Sequence, residues 1–324
     1  MRYRTLGKTG LRVSEIGFGC WGIGGPPDWA STDEDALDAL NLAVDLGIDL
    51  FDTALVYGNG HSESLVGRLV RERSERLYVV TKIPPKNRIW PARVGTPLQE
   101  AFPHEYIIEM TEQNLRNLGL ERIDIQLMHV WLDEWAQVDE WKEAVVQLKQ
   151  QGKIDLFGVS LNFPYGGGDN GIPGMQTGAI DVVEVVYNIY EQRPQYDVLP
   201  AAVRAGVGVI ARCPLDEGAL SGKITPGTTW PEGSFQGFYF RGERTREVYE
   251  RAKTLQWLIR DDVESLPEAA LRFSLSRPEV SAVIVGMTNT EHLRVNVKAS
   301  DKGGLKPEDL EQLKAWAWPH IFWA

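Results

Sequence analysis

Residues 17–22 read Gly-Phe-Gly-Cys-Trp-Gly and close an apolar stretch that runs from Val13 to Phe18. The Gly-x-Gly-x-x-Gly spacing is that of a dinucleotide-binding turn. In a doubly wound sheet the last glycine of such a turn opens a helix facing the pyrophosphate. An acidic residue then closes the second strand about 20 residues later. Here Gly22 is followed by Ile23-Gly24-Gly25-Pro26-Pro27, which does not start a helix. The acid ending the next apolar run, Asp52, lies 30 residues past Gly22. The stretch therefore predicts a loop leaving the first strand and free to line a pocket, not a Rossmann turn.

Outward from that loop, eight short apolar runs recur: Glu15–Gly19, Ile48–Thr53, Leu77–Lys82, Ile123–His129, Ile154–Ser160, Val182–Tyr187, Val207–Arg212 and Ala282–Gly286. They are nearly continuous rather than alternating, as in parallel strands buried on both faces. Helical periodicity fills the gaps. Residues 33–47 follow Thr32 as N-cap and stop at Gly47, and 105–118 and 137–152 repeat the plan. Eight strand–helix units in one chain predict a (β/α)8 TIM barrel, an α/β fold, with a doubly wound sheet as the alternative. Residues 3–13, with Gly-Lys-Thr-Gly at their centre, predict a β-hairpin capping one end of the barrel. No composition shift marks a linker, so residues 1–324 are expected to form one domain.

Composition narrows the function. The chain has 324 residues and a net charge of −11, which disfavours a nucleic-acid partner. Two distant cysteines, Cys20 and Cys213, form no zinc spacing and no secreted disulfide framework. The first ten residues lack the apolar core of a signal peptide, and no run approaches a membrane span. A cytoplasmic protein is expected, with no metal.

The chemistry concentrates where apolar runs end. Asp52 closes the second run and Tyr57 follows it, while Lys82 closes the third and His129 the fourth. In a barrel these are strand tips at the face where active sites lie. Free tyrosine, with a pKa of about 10, is a poor acid at neutral pH; a nearby lysine cation favours the phenolate. With Asp52 holding Lys82 charged, Tyr57 is set to protonate an alkoxide forming on a carbonyl, and His129 to donate to the same oxygen. Proton donation to a carbonyl without a metal calls for a hydride donor, hence a nicotinamide.

The stretches YRTLGKTGLRVSEIGFGCWGIGG, FDTALVYG, VVTK, LMH, FGVS, VVYN, IARCPLDEGALSGK and VIVGMTNTEHLRVN together resemble the aldo-keto reductase family, over essentially the whole chain. The resemblance implies a barrel that binds NADP(H), or less often NAD(H), and a catalytic tetrad of Asp52, Tyr57, Lys82 and His129, with Tyr57 as general acid. It implies cofactor contacts from Gly19, Cys20, Trp21 and Asp52, from Ser160 and Asn162, and from Pro214, Leu215, Glu217, Gly218, Leu220, Gly222 and Lys223 over the pyrophosphate. Gly286, Met287, Thr288, His292 and Asn296 complete them. Two positions depart from the family pattern. The usual glutamine of the sixth strand is Glu184, and the residue packing on the nicotinamide, often aromatic, is Arg212. The arginine or lysine that relatives place near Met287–Asn289 to grip a 2′-phosphate is missing. The family pulls towards NADP(H) and these residues towards NAD(H), with the balance on NADP(H).

The expected substrate pocket is Trp21, Tyr57, Trp90, His129 and Trp131, with aromatics of the 213–244 loop. Such walls suit a sugar or an aromatic carbonyl. The tail of residues 304–324 carries Trp316, Trp318, Phe322 and Trp323. It is expected either to pack on the barrel or to lie over the pocket; exposed, it would serve as an oligomer contact. A barrel of this family can alternatively serve as a cofactor-binding regulatory subunit with little turnover.

Overall fold

The computed structural model describes residues 1–25, 32–162, 170–288, 290–320 and 322. Eight parallel strands close into a barrel: β3 (Ile16–Gly19), β4 (Leu50–Asp52), β5 (Tyr78–Ile83), β6 (Ile123–Met128), β7 (Ile154–Ser160), β8 (Val182–Val186), β9 (Gly208–Arg212) and β10 (Ala282–Gly286). Each falls on one of the eight apolar runs, a little shorter at most ends. Strand β10 pairs with β3, so that Gly286 lies beside Gly19 and closes the cylinder.

The predicted hairpin is present as β1 (Tyr3–Thr5) and β2 (Arg12–Ser14), paired antiparallel from Tyr3–Ser14 to Thr5–Arg12. It plugs the N-terminal mouth. Leu6 and Val13 are fully buried against Leu50, Val80, Ile125, Val182 and Ile210 from the barrel interior. Gly7 is required there: it has φ +53°, and a Cβ would sit 2.4 Å from the amide nitrogen of Gly208.

Helices form where apolar spacing and caps agree. Helix Asp33–Asp45 opens on a capping box between Thr32 and Asp35, and the chain turns away through Gly47 at φ +89°. Helix His104–Leu118 ends on Gly119 in the left-handed conformation. Helix Glu140–Gln150 starts later than the periodicity predicts, because Asp133–Gln137 forms a tighter 3-10 turn before it. One expectation is corrected. The glycine-rich stretch after β3 is not all loop, since Trp21–Gly24 forms one helical turn. Its glycines allow it to wedge between neighbours: a Cβ on Gly22 would lie 2.6 Å from Thr288 and one on Gly24 2.7 Å from the carbonyl of Tyr57.

Two long loops, residues 84–103 and 213–244, carry short helices, Leu98–Ala101 in the first and Phe235–Tyr239 in the second. The tail continues through helix Pro307–Leu313 and a 3-10 turn at Lys314–Trp316. Trp318 then packs edge-on to Tyr190 at 5.4 Å and Phe322 to Tyr239 at 5.4 Å. Trp323 lies outside the described residues. Among the described residues no helix is long and apolar enough to cross a membrane.

Candidate active site

Parallel register carries the polar strand ends to one mouth. Gly19 lies beside Asp52, Lys82 beside Leu127, Ser160 beside Glu184, and Val186 beside Arg212. Above them opens a cleft of about 1040 Å³, at the end of the barrel where side chains from different strands converge.

Lys82 is fully buried at its floor. Its ammonium donates to both Asp52 oxygens, at 2.6 and 2.7 Å, and to the carbonyl of Thr53 at 3.0 Å. Glu184 Oε2 lies 3.5 Å away. Tyr57 stands on the turn after β4, with its ring centroid 5.4 Å from the ammonium. That turn needs Gly58, at φ +64°, because a Cβ there would lie 2.0 Å from the carbonyl oxygen of Gly24. The His129 ring meets the Tyr57 ring edge-on at 6.0 Å and the Trp90 ring at 6.0 Å. The four residues singled out from separate strand ends thus share one small volume.

Electrostatics assign each group a state. Burial opposes charge on Lys82, but Asp52 and then Glu184 hold its pKa above the ordinary value. The same burial pushes the Asp52 carboxyl upward, while Lys82 pulls it back. Burial, then Lys82 and Arg212, press His129 well below the usual imidazole value, so it is neutral at physiological pH and carries one N–H. For Tyr57 the expectation from sequence is revised. Lys82 lowers its pKa, but withdrawal from water raises it more, with Asp52 and Glu184 adding to the rise. The resting phenol is therefore fully protonated, as a proton donor must be.

Glu184 and Arg212 face each other across the floor, Arg212 Nε lying 3.5 Å from Glu184 Oε1. Among the described residues, Glu184 Oε2 and Arg212 Nε are buried without a hydrogen bond. Each lies 3.5 Å from an opposite charge but makes no hydrogen bond, and an acceptor beside a donor in that state suits a planar amide. The loop after β9 forms the next wall: Pro214, Leu215, Glu217 and Gly218 line the cleft. Its backbone is strained. Cys213, Asp216 and Glu217 have φ of +52°, +49° and +55°, and Gly218 +107°. Each such non-glycine residue costs about 1–3 kcal/mol and persists only where its surroundings fix it. Gly218 and Gly286 have open space where a Cβ would stand, so backbone meets the cleft directly.

The remaining expected residues divide. Gly19, Trp21, Asp52, Tyr57, Trp90, His129, Asn162, Glu184, Arg212 and Thr288 line the cleft. Cys20, Ser160, Leu220 and Met287 are buried behind its wall. Asn296 is buried on helix Thr290–Lys302, one turn beyond His292, and Lys223 Nζ lies against His292 Nε2. Trp131 is a correction: it is not a pocket wall. It is fully buried outside the barrel strands, edge-on to Trp135 and Trp141 at 6.1 and 5.6 Å, and its indole donates to Asp133. A large aromatic just past a strand end is drawn into whichever apolar cluster is nearer, and here two further tryptophans supply one. The tail is placed too: none of its described residues lines the cleft, His320 meets Asp216 of the 213–218 loop, and Trp316, Trp318 and Phe322 pack on Trp257, Tyr190 and Tyr239.

Residues that sequence reasoning did not single out also reach the cleft, notably Gln236, Thr229, Cys213 and Val56. Gln236 arrives on helix Phe235–Tyr239, which Ser234 caps and Phe235 anchors edge-on to Trp21 at 4.7 Å. A serine before an aromatic run signals the cap, but nothing in the sequence aims the glutamine inward.

Comparison with known proteins agrees with this architecture. A model described as the Aldo/keto reductase family matches residues 15–317. The chain is 29% identical to the oxidoreductase YqkF of Bacillus subtilis over 316 residues, covering 97% of this chain and 96% of that protein. It is 28% identical to the NADH-specific methylglyoxal reductase of Escherichia coli, covering 92% and 93%. Among solved structures, the glycerol dehydrogenase AKR11B4 from Gluconobacter oxydans superposes with a TM-score of 0.78 at 26% identity, covering 97% of this chain and 94% of that one.

Proposed function

The chain belongs to the aldo/keto reductase family and is an NAD(P)H-dependent oxidoreductase, and from that premise we propose that Tyr57 is the acid and base of a carbonyl–alcohol interconversion in the cleft. The observation that carries this reading is the buried Lys82 ammonium, held by both Asp52 oxygens and lying 5.4 Å from the Tyr57 ring centroid. Bound NAD(P)H supplies a hydride to the carbonyl carbon. Tyr57 gives its phenolic proton to the carbonyl oxygen as negative charge develops there, and the phenolate it becomes is stabilised by Lys82. Neutral His129 donates its single N–H to the same oxygen and fixes the carbonyl's orientation. In the oxidative direction Tyr57 takes the proton back.

The residues fit a nicotinamide nucleotide. Glu184 Oε2 and Arg212 Nε, both buried without a hydrogen bond, are the partners for the carboxamide. Gly218 and Gly286 let backbone approach the phosphates, and Asn296 stands at the adenine end. For the 2′-phosphate, Lys223 beside His292 replaces the cation missing at Thr288. NADP(H) is thereby slightly favoured over NAD(H). Trp21, Trp90 and Trp230 wall the substrate end and Gln236 adds a polar group, a combination suited to a sugar or an aromatic carbonyl. We read residues 1–324 as one barrel domain with its tail packed on it. Two free cysteines suit the reducing cytoplasm.

The test is Tyr57→Phe, assayed with a nitrobenzaldehyde and NADPH. Turnover should fall by about 10²–10⁴-fold, the range of a lost general acid. NADPH binding by fluorescence quenching should stay within about twofold, as the hydroxyl contributes no binding contact in this reading. A variant that keeps its rate sinks the assignment. Parallel NADPH and NADH titrations decide the cofactor: equal affinities remove the role given to Lys223 and His292.

A further inference from the structure

Among the described residues, the tail reaches the strained loop at one polar contact. His320 Nε2 lies 3.2 Å from Asp216 Oδ2, with both side chains buried. The other ring nitrogen, Nδ1, lies 2.8 Å from the carbonyl oxygen of Trp318. Nδ1 thus has a hydrogen-bond acceptor, while Nε2 lies at ion-pair distance from Asp216 Oδ2 but outside hydrogen-bond geometry, and among the described residues neither of those two buried atoms has another hydrogen-bond partner. A neutral imidazole has one N–H to serve the two sides of the ring, whereas an imidazolium has one for each and carries the charge that pairs with the carboxylate. The ring also stacks on Trp318 at 4.1 Å, a placement that favours a cation.

Asp216 is the residue that sends the loop in two directions. Its carboxylate is buried towards the tail, while the next residue, Glu217, faces the cleft and accepts from Cys213 Sγ at 3.1 Å. Two successive left-handed non-glycine residues persist only where their surroundings fix them, here backbone hydrogen bonds within residues 213–220, Asn188 Nδ2 donating to the Cys213 carbonyl, and the tail. On the tail side it is His320 that meets Asp216.

We propose that the C-terminal tail is a latch: His320, as an imidazolium ion-paired with Asp216, holds the 213–218 loop in the conformation that covers the cofactor. The proposal rests on the reading of that loop as a cofactor wall. His320 and Asp216 are positioning residues, since neither lines the cleft. The latch weakens as pH rises, because loss of one ring proton leaves a nitrogen lone pair against an acceptor.

The charged and titratable neighbours act in both directions, and those that favour the cation prevail. Burial works against the cation, but Asp216, the Trp318 carbonyl and Glu191 outweigh it and raise the His320 pKa. The interaction is therefore complete at low pH and lost as pH rises through the folded-state value. Glu191 is already held by Arg193, and Glu217 by Cys213. Arg251 lies over the Trp318 ring at 3.9 Å and Arg244 over Phe322 at 4.6 Å, both on helix Arg244–Lys253. Tyr190 and Tyr239, whose phenols burial raises, complete the surroundings.

Two measurements on wild type, His320→Gln, Asp216→Asn and the double variant test the latch. The first is hydrogen exchange of the 214–220 amides without cofactor, corrected for intrinsic rates. The second is the NADPH dissociation rate by stopped-flow fluorescence at about pH 6 and about pH 8.5. Wild-type dissociation should quicken about tenfold between these pH values, the worth of one charge-assisted bond. Each variant should be fast and pH-independent, with matching loss of amide protection, and the double variant no faster than either single one. Rates and protection within about twofold of wild type at both pH values, or additive effects in the double variant, overturn the latch. Failure of the wild type to quench NADPH fluorescence would instead overturn the cofactor reading, and the amide protection would still decide the contact.

Discussion

Replacing Lys82 by methionine isolates the energetics of the cleft floor. The ammonium is fully buried and its partner Asp52 nearly so. Removing one member of such a pair leaves an uncompensated charge, which costs about 3–5 kcal/mol. The upper part of that range fits here, because Thr53's carbonyl also loses its donor and Glu184 Oε2 its cation at 3.5 Å. Asp52 would respond by keeping a proton. Burial and Glu184 already push its pKa up, and the opposing pull of Lys82 would be gone. The folded variant then binds a proton that the unfolded chain releases near pH 4. Its destabilisation is accordingly largest at about pH 8 and shrinks as pH falls towards about 5, by up to roughly 1.4 kcal/mol for each pH unit. Urea unfolding followed by the fluorescence of the eleven tryptophans reads this directly for wild type, Lys82→Met, Asp52→Asn and the double variant. Adding Asp52→Asn to Lys82→Met should restore much of the loss at pH 8, since a neutral amide needs no counter-charge. If Lys82→Met stays within about 1 kcal/mol of wild type at pH 8, or the two substitutions simply add, the pair is not the coupled unit described here.

Three further substitutions separate core from cleft and helix from helix. Trp131→Ala should cost about 3–5 kcal/mol while leaving NADPH affinity within about twofold, whereas Trp90→Ala, at the half-open cleft wall, should raise KM with little change in Tm; the reverse pattern would return Trp131 to the pocket. Gly67→Ala should destabilise by about 1–3 kcal/mol despite alanine's better helix propensity, because its Cβ would lie 1.8 Å from the carbonyl oxygen of Leu118 on the neighbouring helix; a raised Tm would contradict that close approach.

Strand positions were legible because a barrel strand buried on both faces is largely apolar, as in Ala282–Val285, and Ile123–Met128 and Val182–Val186 keep that character although Asp124, Gln126 and Glu184 interrupt them. The Asp52, Tyr57, Lys82 and His129 group was legible for the complementary reason. A charged or polar residue ending such a run has few places to go except the mouth of the barrel. What sequence did not fix depends on packing between distant segments. Trp131 looks like a pocket wall until Trp135 and Trp141 are seen to claim it. Trp21–Gly24 looks like a loop until Thr288 and Tyr57 are seen to confine it. Gln236 and the His320–Asp216 contact follow from the paths of a long loop and a tail, and no local pattern encodes those.

Glu184 and Arg212, two separate departures from the family pattern in the sequence, are one feature in space. Asp52, Lys82, Glu184 and Arg212 belong to β4, β5, β8 and β9, and they form a chain of alternating sign with successive separations of 2.6, 3.5 and 3.5 Å. Their formal charges sum to zero, and the acid and the base that enter the floor together act on Tyr57 in opposite directions, Glu184 more strongly than Arg212. A lone Glu184 would raise the Tyr57 pKa further, and a lone Arg212 would lower it, as the opposite signs of their present effects show. The two inner charges, Lys82 and Glu184, each have an opposite charge on either side. The two ends, Asp52 and Arg212, meet the cleft, which is where charge on a bound substrate or nicotinamide would be felt. Single replacement of Glu184 by glutamine therefore leaves Arg212 with Glu217 as its remaining carboxylate neighbour and makes the floor beside the proton donor more positive.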